Sequence, residues 1–285
     1  MTGHGWPAYS LRQNGVIFAV LGTVPHREGV VMPRLFHAAM ALVLLTATTE
    51  AANVVLTAPS ATQARTKVIS WVAAQGVTDK ATLQRVGKAW ALGKQPVSAS
   101  RLHDMVVGTF ASIDAKTKAF VESCSMKPDA TQPDTAILKG KDAFYSANMR
   151  LFYGRYLAQM RMYDEALELL ASLDPKSVVD PAACLYFKAV CEHQLLMKTE
   201  GLATINTLLG STAGVPLRYQ TTAELMRHDL QALKKDSLAA ISRKMKDVER
   251  RLDLGRGGQR VQKEEDEIVA SLDAIIEKLE QQGGT

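Results

Sequence analysis

The side chains best placed by type and spacing to do chemistry lie near the C-terminus. Arg250, Arg251, Arg256, Arg260 and Lys263 surround the run Leu254-Gly255-Arg256-Gly257-Gly258. Glycines beside arginines can wrap backbone N–H groups around an anion. These five residues are therefore a candidate anion-binding tip for phosphate, nucleic acid or anionic lipid. The competing reading is internal neutralisation. Residues 234–263 hold ten basic and four acidic side chains, and residues 264–280 hold seven acidic and one basic. A chain folded back about Arg256 sets Lys246 near Asp266 and Lys235 near Glu277. Each exposed pair of that kind is worth about 0.2–1 kcal/mol. No aromatic residue is interleaved, so base stacking is unsupported and nucleic acid is a disfavoured partner. The glycines are no P-loop, because the Gly-x4-Gly-Lys-Ser/Thr spacing and a preceding strand are missing.

Catalytic signatures are not found, so no catalytic residue, cofactor or metal is assigned. His103, His193 and His228 each sit alone on a predicted helix. No His-Glu-x-x-His, Gly-x-Ser-x-Gly or Cys-x-x-Cys occurs. Glu264-Glu265-Asp266-Glu267 reads as a solvated helix face. The three cysteines, Cys124, Cys184 and Cys191, are an odd number and no disulfide framework. Cys184 and Cys191 share one helix face roughly 10 Å apart, too far to bond, and suit buried packing. The net charge of +5 is not the concentrated basic footprint of a nucleic-acid binder.

The elements that must position these groups are helices. Leu238, Ile241, Met245, Val248 and Leu252 are spaced 3, 4, 3, 4, and Val261, Ile268, Leu272, Ile275 and Leu279 are spaced 7, 4, 3, 4. Both are narrow coiled-coil seams. With the glycine turn between them they predict an antiparallel helical hairpin over 234–285, whose seam could also pair with a second chain as a homo-oligomer.

Upstream, Arg34 precedes fifteen residues without Lys, Arg, Asp or Glu, including Ala38-Ala39-Met40-Ala41-Leu42-Val43-Leu44-Leu45. About eleven apolar residues are too few for a membrane span, which needs about twenty. They suit a signal-peptide core, with Thr49 and Ala51 as small residues before the cut. The natural start is then near Met32, residues 32–51 are the signal, and the mature chain begins at Ala52 with no transmembrane helix. Met1 to Val31 reads as an upstream extension.

The mature chain divides into a helical subdomain over 52–126 and a second helical region over 136–233. Helices are predicted from Thr66 to Gln75, after Thr78, after Ser98 and after Asp114, and Met126 to Asp134 reads as a linker. In NMRLFYGRYLAQMRMYDEALELLASLDP (148–175), Gly154, Tyr163, Ala166, Leu170 and Pro175 lie near the small, aromatic and terminating positions of a tetratricopeptide repeat, which this stretch resembles. Asp180-Pro181 opens a further helix. Ala189 follows Gly154 by 35 residues, close to that repeat's period of 34. The segments Val178–Leu196, Arg218–Leu230 and Val248–Leu279 resemble a group of uncharacterised bacterial exported proteins with tetratricopeptide-like domains. That resemblance implies an all-α repeat fold and a periplasmic or envelope setting, and it carries no catalytic residues. The sequence expectation is a non-enzymatic interaction or scaffold protein binding a protein or peptide, with anion binding at the hairpin tip as the alternative.

Overall fold

Helix starts are fixed by local hydrogen bonds. The computed structural model describes residues 55–93, 95–124, 133–140 and 142–283, and all of them are in the unit Ala51–Thr285. The expected signal segment and the upstream extension lie outside the described residues. Ser60 opens α1 (Ala61–Ala74) through a reciprocal capping box with Gln63. The helix therefore begins ahead of the expected Thr66, because that pair satisfies the first free N–H groups. Asp79, one residue after Thr78, caps α2 (Lys80–Ala89) by accepting from the Ala81 and Thr82 N–H groups. Helix α2 ends before Gly93, and Trp90 turns inward to donate its Nε1–H to Thr109 Oγ1 at 2.9 Å. Ser98 and Asp114 open α3 (Ala99–Ile113) and α4 (Ala115–Ser123) as the sequence predicts.

Next come α5 (Ala143–Gln159) and α6 (Tyr163–Ala171), then a 3-10 turn starting at Pro175. Asp180 and Pro181 start α7 (Pro181–Gln194) as cap and first residue. After it run α8 (Lys198–Gly210), α9 (Leu217–Ala232), α10 (Leu238–Asp253) and α11 (Gln259–Gly283). The chain is all-α, and the only strand-like feature among the described residues is one bridge. There the Leu56 N–H donates to the Ser211 carbonyl at 2.7 Å, and the Leu56 carbonyl accepts from the Ala213 N–H at 2.8 Å.

Successive helices from α5 to α9 pack on one another, and α3, α5, α7 and α9 also touch in that order. The α5–α6 and α7–α8 hairpins are built alike. Arg161 and Leu196, 35 residues apart, hold φ of 60° and 58° at the two turns. In each turn the following N–H, of Met162 or Met197, donates 2.8 Å back to the carbonyl of Leu157 or Glu192. Holding a non-glycine residue in that region costs about 1–2 kcal/mol, so the surrounding packing over-determines the turn. At the same interval the pairs Phe152/Phe187, Gln159/Gln194, Met162/Met197, Glu165/Glu200, Leu167/Leu202 and Leu173/Leu208 are identical. The repetition is therefore present in sequence and in backbone.

One apolar core runs from Val68 and Trp71 on α1 through Phe110 on α3 to Tyr145 and Met149 on α5, and on to Leu170, Cys184 and Cys191. Trp71 lies 4.5 Å from Phe110 and stacks on Tyr145 at 5.4 Å. The regions 52–126 and 136–233 thus share one core, since these aromatics cross the expected boundary. A second cluster joins Leu56, Ile205, Leu208, Tyr219 and Leu230. The α10–α11 hairpin keeps a small core of its own, Ile241, Val248, Val261 and Ile268. Cys184 and Cys191 are buried free thiols that burial pushes up to about 12, and both serve as packing.

Gly154 sets how closely α5 meets α6. A Cβ there would lie 2.8 Å from both Cγ and Cδ2 of Leu170, whereas Gly108 on α3 has nothing within 4 Å. The Leu170 Cγ sits near its own backbone and cannot swing clear. Gly154→Ala is expected to destabilise the fold by about 1–3 kcal/mol. Gly108→Ala is expected to stabilise it by about 0.5–1 kcal/mol through helix propensity. Denaturant unfolding of the two variants checks the opposite signs.

Candidate functional site

The five basic residues of the expected tip do not form one exposed cluster. Arg250 and Arg251 are 3% and 5% exposed and turn toward the first turn of α6. Asp247 accepts from Arg250 Nη2 at 2.6 Å and from Arg251 Nε at 2.7 Å. Asp164 on α6 receives Arg251 at 3.0 Å, Arg260 at 3.0 Å and Arg250 at 3.5 Å. Arg250 also donates to the Arg161 carbonyl at 2.7 Å and stands 5.0 Å above the Tyr163 ring. Arg256 pairs with Glu165, Arg161 with Asp253 and Arg260 with Glu264. Five guanidinium groups thus meet five carboxylates, which leaves little unbalanced charge to draw an external anion. Lys263 alone of the expected five lies apart, exposed on α11.

Asp164 is the hub of this docking. Burial would raise its carboxyl, but the hydrogen bond from Arg251 and the charges of Arg251, Arg260 and Arg250 outweigh burial and hold it below its ordinary 3.8. Across the hairpin the bridge that forms is Lys244 to Glu267 at 2.9 Å, in place of the expected Lys246–Asp266 pair. Lys246 instead lines a cleft of about 370 Å³ between α10 and the ends of α7 and α9. In that cleft His193 Nε2 donates to Asp229 at 2.6 Å, and Asp229 also takes Arg243.

The second assembly lies where α3, α5, α7 and α9 meet. His103, fully buried, donates from Nε2 to the Asn148 carbonyl at 3.1 Å, so its Nδ1 accepts from Arg155 Nη1, also at 3.1 Å. Burial, then the Arg155 charge, lowers His103 to about 4, which keeps the ring neutral at neutral pH. The Asn148 amide donates to the Phe144 carbonyl at 2.8 Å and accepts from Val179 N–H at 3.0 Å. Arg155 also bridges to Asp104 at 3.4 Å and stands 5.8 Å from the Phe187 ring. Asp180 caps α7 with one oxygen, while its buried Oδ2 has no hydrogen-bond partner. Burial raises the Asp180 carboxyl, with the charges of Arg155 and Arg218 pulling the other way. Tyr186 stacks on Tyr219 at 4.0 Å and 12°, Phe187 meets Tyr219 edge-on, and exposed Arg218 covers the Tyr219 ring at 4.9 Å. This face therefore offers guanidinium groups, part-exposed aromatic rings and the exposed carboxylate of Asp104, with the Asp180 carboxyl buried behind them.

Of the expected repeat positions, Gly154 meets Leu170, and Ala166 and Ala189 are fully buried between helices. Tyr163 begins α6 under Arg250, and Pro175 opens the 3-10 turn after Asp174. Sequence reasoning missed Asp164, Arg155 and Asn148. Their signal was an acid in the first turn of a helix, and polar residues set among the apolar and aromatic positions of α5. Among the described residues no three His, Cys, Asp or Glu side chains gather closely enough to hold a metal ion. Comparison with protein-family models, with curated proteins and with solved structures finds no match to this chain.

Two outcomes follow from these networks. Asp164→Asn strips buried arginines of their shared partner and is expected to lower stability by about 2–4 kcal/mol at neutral pH. Because the carboxyl is held below 3.8, that advantage is complete above its ordinary range and lost as pH falls through the lowered value, so the two melting curves converge in acid. For His103 the unfolded chain takes up a proton below 6.5 and the folded one only near 4. Stability is expected to fall by about 3 kcal/mol between those values. His103→Gln should flatten that slope in denaturant melts run across the same range.

Proposed function

We propose that this protein is a non-enzymatic interaction or scaffold protein of a bacterial periplasm or envelope. In this reading its paired hairpins are a tetratricopeptide-like domain that receives a protein or peptide. The observation that carries the proposal is the face formed by α3, α5, α7 and α9. Arg155, Tyr186 and Phe187 are part-exposed there and Arg218 is exposed. The hydrogen bonds and ion pairs that anchor the C-terminal hairpin go to Arg161, Asp164 and Glu165 at the α5–α6 turn and to Asp229 near the end of α9, and none of these uses Arg155, Tyr186, Phe187 or Arg218. Support for the repeat reading comes from the 35-residue recurrence of turn geometry and of six residue identities. Support for the envelope setting comes from the sequence between Arg34 and Ala51 alone. No helix among the described residues is long and apolar enough to cross a membrane.

The groove is tested by Arg218→Glu, a change at an exposed side chain that leaves the core untouched. Envelope extracts passed over immobilised wild-type protein are expected to yield a partner whose capture drops about tenfold or more with the variant. Equal capture by both proteins, each shown by circular dichroism to be folded, overturns the groove. The export reading is checked separately by N-terminal sequencing of protein from the native cell. A mature chain beginning at Ala52 is expected, and an intact Met1 refutes it.

A further inference from the structure

The seam that the sequence draws along α10 is only half used within the chain. Ile241 and Val248 are buried against Val261 and Ile268 of α11. Leu238, Met245 and Leu252, spaced by seven, are each half exposed or more, as are Val269 and Ile276 on α11, also spaced by seven. At 100° per residue the α10 row stands roughly 50° to one side of the Ile241–Val248 line, and the α11 row roughly 80° to the matching side of the Val261–Ile268 line. The Lys244–Glu267 bridge and the Arg251–Glu264 contact mark the opposite side of both helices, the side that carries the arginines docked on α6. The two exposed rows therefore share one outward face.

We infer that this face is where two copies of the chain pair, hairpin on hairpin, as an antiparallel four-helix bundle. Three observations select a second copy. The sevenfold spacing on both helices is that of coiled-coil seams, which take another helix as partner. The face measures roughly 24 Å by 20 Å, so a symmetric pairing covers about 1,000 Å² in total, the lower bound of a stable interface. The Lys244–Glu267 register sets Leu238 across from about Asp273, and α11 runs on to Gly283, so its exposed Ile276 and Leu279 extend that area beyond α10.

Charge chooses the arrangement. Around α10 the exposed Lys234, Lys235 and Lys246 are balanced by exposed Asp236, Glu249 and Asp253, whereas α11 is acidic, with Glu265, Asp266, Asp273 and Glu280 exposed. A two-fold axis that lays each α10 along the other copy's α11 keeps the two acidic helices apart, whereas α11 on α11 sets like against like. The same acids along α11 repel an anionic bilayer.

The test is the mass of the full chain in solution. Light scattering at about 50 µM is expected to give a dimer, twice the 31.0 kDa of one chain. Met245→Glu with Val269→Glu places carboxylates in the middle of the face and should raise the dissociation constant about 100-fold or more. Its helical circular dichroism and melting should stay unchanged, because both positions are exposed in the single chain. A wild-type monomer at that concentration overturns the inference, as does a dimer that survives the double change. A monomer that floats with phosphatidylglycerol vesicles, and loses that with the double change, gives the face to a membrane and overturns it too. The inference stands apart from the groove: Arg218→Glu should leave the dimer intact, and the double variant should keep groove capture, so the two can fail separately.

Discussion

One carboxylate organises the C-terminal third of this molecule. Asp164, in the first turn of α6, accepts from Arg250, Arg251 and Arg260, and Asp247 holds the first two of these from the other side. An acid in that position is already favoured by the helix dipole. Here it also supplies the anchor for α10 and α11. Where the hairpin is anchored decides what the rest of the surface can do. Tied to the α5–α6 turn and to Asp229 near the end of α9, it leaves Arg155, Tyr186, Phe187 and Arg218 uncovered and turns its own Leu238–Met245–Leu252 row outward. Buried ion pairs add little net stability over an apolar equivalent, because desolvation offsets attraction. Their value here is register: an arginine shifted by one residue along α10 would lose both acids.

The α3–α5–α7–α9 face depends on a different set of hydrogen bonds. Asn148 is fully buried, yet its side chain and carbonyl tie α3, the α5 backbone and the approach to α7 together through His103, Phe144 and Val179. With His103 neutral and its Nε2–H committed to a carbonyl, Nδ1 is left to hold Arg155 in front of Phe187. The guanidinium is thus oriented by the core behind it, so its place does not rest on a surface ion pair. Such support is what keeps a binding side chain in one conformation.

Much of this architecture was legible in the sequence because it is local. Caps at Ser98, Asp114 and Asp180-Pro181, the turn at Gly255 to Gly258 and the sorted charges of the hairpin all act within a few residues or across a single turn. What escaped is long-range. Asp164 and Arg251 are 87 residues apart in the chain, and no spacing rule links them. The basic run read as a tip because its partners lay on α6. The seam of α10 read as one stripe because 3, 4 spacing cannot show which half meets α11. The 35-residue interval is legible at Gly154 and Ala189, but the six identities at that interval are not tied to it by any small-residue pattern, since all but the buried Leu173/Leu208 pair fall on turns and part-exposed or exposed positions. Gly201 illustrates this: it stands twelve residues after Ala189, as Ala166 stands after Gly154, and it admits Leu230.

The separation of the hairpin's core from the other two clusters has a physical consequence. Apolar burial is non-directional and little affected by salt, whereas ion pairs weaken as ionic strength rises and as carboxylates protonate. The stack of α1 to α9 is held by the first kind of force, and α10–α11 is joined to it chiefly by the second. The two parts therefore answer to different conditions. High salt or acid acts first on the joint at Asp164, while the aromatic core around Trp71, Phe110 and Tyr145 keeps the stack folded. A hairpin joined in this way can shift without straining the α3–α5–α7–α9 face, because its apolar core is a cluster separate from the other two.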